Sequence, residues 1–249
     1  GDEALRCFRQ MRDEEFCSPN ALSYASILKA CGMVKSLDTG ECIDADIRKE
    51  GLLEKDVVLG TALVDMYSKC GMLGRADEVF NELPERDVNI WTVLIAGYAQ
   101  LGEVEKVFAL FGQMVADGIV PDRIIFVVML SACNHAGLVE DGQMYFDAMS
   151  TIYSLTPDLE HYSCMVDLLG RAGCLQEALS LIYKLSIDSV MVWMALLGAC
   201  RISANIHIAE IAAESILKLA PENTAACVML SNIYAATGRW SEKKCFENG

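Results

Sequence analysis

Apolar residues in this chain recur with a helical period, in short runs that come in pairs. From Val88, the residues Trp91, Leu94, Ile95 and Tyr98 follow the i, i+3, i+4, i+7 spacing of one buried helix face. After Gly102, a residue that tolerates the positive φ of a helix end, Val104, Val107, Phe108, Phe111 and Met114 form a second such face. The pair then repeats. Aligned on their turns, the pairs meet at Gly71, Gly102, Gly137, Gly173 and Gly238, with Ala204 and Asn205 at the middle turn of the last, doubled interval. The prolines keep the same phase: Pro19, Pro84, Pro121, Pro157 and Pro221 each fall near the end of a pair, as a residue without an amide donor must if it is to stay out of helices. A helical hairpin recurring at about 34 residues predicts an all-α solenoid, because one hairpin cannot bury its apolar face without neighbours.

The phase divides the chain into a partial repeat over 1–20, then repeats over 21–56, 57–87, 88–122, 123–158 and 159–189. Two divergent repeats follow, over 190–223 and 224–249, the second cut short. Gly1 opens directly onto helix-like sequence, partway through a repeat, so any targeting peptide is expected outside this chain.

At 249 residues and 53% hydrophobic, the chain has enough apolar material for a core spread along one dimension. No run of about 18 apolar residues is present, which argues against a membrane-spanning helix. Eleven cysteines raise the question of zinc or disulfides. No pair has C-x-x-C spacing, and the three histidines, His135, His161 and His207, stand apart from any cysteine or carboxylate at ligand or triad spacing. No metal or cofactor is expected, and neither is a nucleophile, a phosphate loop or a deaminase site. Cys31, Cys133 and Cys200 hold the eleventh place of their repeats, where Tyr67 and Tyr98 stand in others. A residue that recurs with the repeat packs helices, so these cysteines are expected as reduced core thiols. The net charge of −15 lacks the basic footprint of a nucleic-acid binder, so an RNA reading must rest on local residues.

Particular strings resemble the pentatricopeptide repeat family of plant organelles. VFALFGQMVADGIVPD, closing repeat 88–122, is similar to the family's standard (P) repeat. LSYASILKACGMVKSLDTG and IIFVVMLSACNHAGLVEDG resemble its long (L) variant, in repeats 21–56 and 123–158. LVDMYSKCGMLGRADEVFNELPERD and HYSCMVDLLGRAGCLQEALSLI resemble its short (S) variant, in repeats 57–87 and 159–189. VWMALLGACR and LSNIYAATGRW resemble the E-type extension motifs that follow the array in editing-type members, in 190–223 and 224–249. The resemblance covers essentially the whole chain and implies an α-solenoid wound into a right-handed superhelix, with one base read per repeat.

The resemblance also implies which residues read bases: the fifth of each repeat's first helix and the last of the repeat. In 57–87 these are Thr61 and Asp87, and in 88–122 they are Thr92 and Asp122. The family code takes threonine with aspartate as guanine-preferring. The chemistry agrees independently. A hydroxyl both donates and accepts, a carboxylate only accepts, and guanine offers a ring N–H and an amino group as donors. A plainer role for the aspartates, capping the next helix, is compatible with base reading. The long repeats pair an apolar fifth residue with aspartate, Ala25 with Asp56 and Val127 with Asp158, which suits a weaker RNA contact or a protein partner. Repeat 159–189 pairs Ser163 with Ser189, after an apparent one-residue deletion near Ile187. Met194 and Val228 stand at the fifth place of the divergent repeats, where base reading is not expected. Val58, second in its repeat, suits a wedge against a base face, whereas Asn89 and Glu160 at the same place do not. Lys69 and Arg171, thirteenth in theirs, lie at the lip of the same face, where they meet the RNA backbone or serve as solvated helix-end cations.

The implied function is a sequence-specific module for single-stranded organellar RNA, within a factor that directs C-to-U editing. Its implied partners are multiple organellar RNA editing factors and a DYW-type deaminase acting in trans, in the mitochondrion ahead of the chloroplast, and not a membrane. The alternative is a helical scaffold that binds proteins without reading RNA, which the acidic charge would suit.

Overall fold

Structure was obtained as a computed structural model, which describes residues 3, 5, 6, 10, 20–53, 56–184 and 188–238. Most of the partial repeat over 1–20, the deletion near Ile187 and the end of the last repeat lie outside the described residues. Thirteen α-helices and no strand occur among the described residues. The chain forms two compact units, residues 1–122 and 123–249.

The first unit contains three hairpins. They are α1 (Ala21–Val34) with α2 (Leu37–Lys49), α3 (Val57–Lys69) with α4 (Leu73–Glu82), and α5 (Val88–Gln100) with α6 (Val104–Ala116). The second contains α7 (Arg123–Ala136) with α8 (Val139–Thr151), α9 (Leu159–Arg171) with α10 (Leu175–Lys184), and α11 (Val190–Ser203) with α12 (Ile206–Leu219), followed by α13 (Thr224–Ala236). Turn glycines 71, 102, 137, 173 and 238 all take positive φ. Lys35 and Ala204 adopt the same left-handed turn without glycine, at φ 55 and 53.

Capping fixes where the first helices begin. Asn20, Asp56, Asp87, Asp158 and Asn223 each accept a backbone N–H of the first turn they precede, satisfying donors that have no partner inside the helix; Asn205 does the same for α12, a second helix. Within each unit the first helices stack on one another, α1 on α3 on α5, and α7 on α9 on α11 on α13. Second helices pack against the first helix of their own hairpin, and α2, α4, α8, α10 and α12 also against the first helix of the next. First helices are therefore buried on two sides. α2, by contrast, buries only Gly40, Ile43, Asp44 and Ile47, one stripe of a helix.

Small residues let the first helices approach closely. A methyl group added at Gly97 on α5 would lie 2.6 Å from Ser68 Cβ on α3, and one at Gly170 on α9 would overlap the Ala199 side chain on α11. The eleventh place lies in the seam, where Cys31, Tyr67, Cys133 and Cys200 are fully buried and Tyr98 is nearly so. Burial pushes the thiols of Cys133 and Cys200 up to about 12, so they stay protonated, the core role expected of them.

Tyrosines at that place reach back to the previous hairpin. Tyr67 Oη donates to Asp44 Oδ2 on α2 at 2.7 Å, Tyr98 to Asp77 on α4 at 2.6 Å, and Tyr234 to Glu210 on α12 at 2.8 Å. Asp44, itself 2% exposed, also accepts from Arg48 Nε at 2.8 Å, and Arg48 pairs with Glu82 on α4. These bonds join α2, α3 and α4 through one buried carboxylate.

Candidate nucleic-acid interface

Thr61 sits one turn into α3, and its position follows from the cap before it. Asp56 accepts the Val58 N–H at 2.9 Å and starts the helix at Val57. Thr61 is then one turn beyond Val57, and its hydroxyl donates to the Val57 carbonyl at 2.9 Å. Thr92 repeats the arrangement on α5, donating to the Val88 carbonyl at 2.8 Å. With the hydroxyl proton committed to the backbone, each oxygen offers only its lone pairs, as an acceptor.

Asp87 closes the repeat and caps α5. Its Oδ1 accepts the Ile90 N–H at 3.0 Å, and its Oδ2 accepts from Asn89 Nδ2 at 2.9 Å. The carboxylate remains exposed, so it keeps lone pairs for a further donor. Capping and an open acceptor thus coexist in one side chain.

In the first unit these residues converge. An open groove of about 580 Å³ is lined by Ala25 from α1, Val58, Thr61 and Lys69 from α3, and Asp87 before α5. Lys29, Asp65, Asn89 and Val93 also line it, with Val57 and Ala62. Val58 is 65% exposed, an apolar surface standing beside the two acceptors. Lys29, Asp65 and Asn89 are lining residues that sequence reasoning did not select as contacts. The signal for Asp65 was present: Thr61, Asp65 and Lys69 follow each other at i+4 on one helix face.

Thr92 and Asp122 lie outside that groove's lining. Thr92 retains 9% exposure and Asp122 is half-buried, so Thr61 is the more open threonine.

In the second unit, Val127 and Ser163 are half-buried. Asp158 is exposed and caps α9, and Ser189 precedes α11 without a side-chain cap bond. His161, third in α9, is fully buried and is a structural residue. Its Nε2 lies 2.9 Å from the Arg123 carbonyl, which can only accept, so that nitrogen carries a proton; its Nδ1 lies 2.6 Å from Asp158 Oδ1. Burial raises the Asp158 carboxyl, but the His161 hydrogen bond and the backbone N–H groups of His161 and Glu160 outweigh it and hold the carboxyl below the usual carboxylate range. His135 and His207 are exposed.

The two thirteenth-place cations are both paired to a carboxylate one turn back. Lys69 Nζ lies 2.6 Å from Asp65, and Arg171 Nε 3.1 Å from Asp167. Asp167 also accepts from Asn134 Nδ2 at 2.6 Å. Among the described residues there is no group of three or more His, Cys, Asp or Glu side chains placed to hold a metal ion, and no helix long and apolar enough to cross a membrane.

Known proteins place this geometry in context. The family model described as PPR repeat family matches residues 86–135, the one described as PPR repeat matches 61–88, 124–152 and 160–187, and the one described as E motif matches 203–245. The pentatricopeptide repeat-containing protein At4g19191, mitochondrial, of Arabidopsis thaliana is 44% identical over 241 residues, which is 96% of this chain and 36% of that protein. The pentatricopeptide repeat-containing protein At3g22690 of the same plant is 43% identical over 233 residues, 93% of this chain and 28% of that protein. The chain thus spans about a third of the length of the curated relatives it matches. Among solved structures, the maize pentatricopeptide repeat protein PPR10 superposes with a TM-score of 0.72 at 17% identity, over 98% of this chain and 35% of that one. PPR10 in complex with an 18-nt psaJ RNA element gives 0.75 at 18% identity, over 98% of this chain and 36% of that one. The helical-hairpin fold is therefore that of these repeat proteins, and the chain belongs to the pentatricopeptide repeat family, with an E motif in its C-terminal part.

Proposed function

We propose that this chain reads single-stranded RNA, with a guanine held between Thr61 and Asp87 and a second at the neighbouring pair, Thr92 and Asp122. The observation that carries the reading is the convergence of Thr61, Asp87 and Val58 on one open groove. Thr61 is an acceptor there because its proton is given to Val57, and Asp87 is an acceptor by nature. Guanine presents its ring N–H and its amino group to such a pair. Adenine presents a bare ring nitrogen where the threonine would need a proton to give. Val58 supplies an apolar face against which the base stacks, in the manner of readers of unpaired bases.

A broader role follows from the family. The E motif match over 203–245 supports membership in a C-to-U editing factor that brings a deaminase and helper proteins to one cytidine. The apolar fifth places Ala25 and Val127 leave room for a protein partner such as a multiple organellar RNA editing factor. Mitochondrial relatives such as At4g19191 support an organellar, and first a mitochondrial, location. The crystallised complex of PPR10 with an RNA element supports RNA as the ligand class.

The test is a panel of short single-stranded RNAs that differ at one nucleotide, bound to the wild type and to Thr61→Asn. The variant carries an amide donor where the wild type has only an acceptor. Preference at that nucleotide should move from guanine towards uracil, by the about 1–3 kcal/mol that a good base contact provides, with the fold unchanged by circular dichroism. Equal, weak binding of every RNA by both proteins, alongside tight binding of a protein partner, would establish the scaffold alternative.

A further inference from the structure

We infer that Asp65 restrains Lys69, and so sets how strongly the groove holds the RNA backbone without affecting which base is chosen. The inference rests on the RNA-reading function proposed above and concerns the same groove. Thr61, Asp65 and Lys69 lie at successive i+4 positions of α3, and all three line the groove. Lys69 Nζ is held 2.6 Å from Asp65 Oδ2, with both side chains about a third exposed, at 34% and 27%. Two cations, Lys29 and Lys69, and two carboxylates, Asp65 and Asp87, line the groove, so its charges cancel. A phosphate arriving at Lys69 must compete with a carboxylate already in contact with that ammonium. A neutral groove gains little from counterion release, which otherwise supplies most sequence-independent affinity.

The same device occurs in the second unit, where Arg171 pairs with Asp167 at the matching places of its short repeat. Asp167 has an additional structural duty, because Asn134 also donates to it. Asp65 is paired with Lys69 and is the cleaner probe.

Asp65→Asn keeps the shape and removes the charge. Fluorescence anisotropy with a guanine-containing RNA and its uracil counterpart, titrated with salt, reads the effect. The variant should bind both RNAs about fivefold more tightly near 0.05 M salt, as expected for loss of one partly screened ion pair. The guanine-to-uracil ratio should stay as in wild type. The slope of log affinity against log salt should steepen by up to about 0.7, the increment for one further phosphate contact on a single strand. Lys69→Gln supplies the second arm: in that background Asp65→Asn should gain less than about twofold, because the released cation is gone. Equal or weaker binding by Asp65→Asn overturns the inference, and so does a gain that persists undiminished without Lys69. If the wild type discriminates guanine while Asp65→Asn fails to tighten, only this inference falls. If the wild type binds no RNA and Thr61→Asn changes nothing, the proposed function falls and this inference with it.

Discussion

Tyr67→Phe tests whether the buried tyrosine–carboxylate bond joins neighbouring hairpins. The ring of Tyr67 is fully buried and its hydroxyl donates to Asp44 at 2.7 Å. Phenylalanine keeps the ring and removes the hydroxyl, whose bond to the charged Asp44 is worth about 1.5–3 kcal/mol and which also meets Arg75. Asp44 keeps its bond from Arg48, which favours the lower end, near about 1.5 kcal/mol. Asp44→Ala removes the carboxylate itself. It leaves a buried hydroxyl without its acceptor and Arg48 short of a partner, so about 3–5 kcal/mol is expected. Urea unfolding followed by circular dichroism measures both, and amide exchange in α2 shows where the loss falls, since hairpin stacks gain stability from each interface in turn. Tyr67→Phe as stable as wild type, or Asp44→Ala costing less than Tyr67→Phe, would refute the argument. The pH dependence supplies an independent check. Burial, then the hydrogen bond and charge of Asp44, raise the Tyr67 hydroxyl well above the ordinary tyrosine value. A folded value raised above the unfolded one means the contribution is complete below about pH 10 and is lost as pH rises beyond it. Alkaline destabilisation should therefore be shallower in Tyr67→Phe.

Three further outcomes concern packing and acid stability. Gly97→Val should cost about 1–3 kcal/mol in a urea melt, because its first carbon would sit 2.6 Å from Ser68 Cβ and force α3 and α5 apart. Ser68→Ala should be neutral or stabilising in the same melt, since the buried Ser68 hydroxyl has no hydrogen-bond partner among the described residues. Asp158 is held below the usual carboxylate range, so its contribution is complete above about pH 4 and disappears as pH falls through the depressed value. Asp158→Asn should lower stability at neutral pH and flatten the acid limb of the stability curve, measured by melts across pH.

The hairpin fold is legible in the sequence because it rests on local chemistry. Apolar spacing, a residue suited to positive φ at the turn, and prolines kept out of helices are each readable without knowing any neighbour. Lys35 marks the limit of that reading: it makes a left-handed turn at φ 55 with a side chain that gives no sign of it. The candidate site was legible through the family resemblance, which assigns the fifth and last places of a repeat and so points to Thr61 and Asp87, while Val58 follows from its place near the fifth on the same helix. What escaped depends on the next helix. Lys29 belongs to α1 yet lines the groove with Asp65 and Lys69 of α3, and only packing of α1 on α3 brings them together. The near-complete burial of Thr92, against the openness of Thr61, likewise comes from three-dimensional surroundings that differ between the two repeats. His161 reads in the sequence as one isolated histidine. Its buried link from Asp158 to the Arg123 carbonyl spans two hairpins.

A net charge of −15, taken alone, argues against RNA as a ligand. The structure gives many of those carboxylates other work. Asp56, Asp87 and Asp158 cap the first helix of the next hairpin, where the positive end of the helix favours an anion. Asp44, Asp77 and Glu210 receive the seam tyrosines, and Asp65 and Asp167 neutralise Lys69 and Arg171. These roles belong to the hairpin architecture and recur along the chain, so part of its acidity is set by the stack and not by the ligand. Net charge therefore reports how the stack is built more than what it binds. It also bears on the form that the proposed RNA binding takes. With a net charge of −15, the proposed function would draw its affinity from stacking and from hydrogen bonds to base edges, one groove at a time. The sequence-independent background that a basic protein carries is then small. Under the proposed function, an acidic reader of this kind trades strength for discrimination, and the pairing of Asp65 with Lys69 places that trade inside the groove proposed to hold the base.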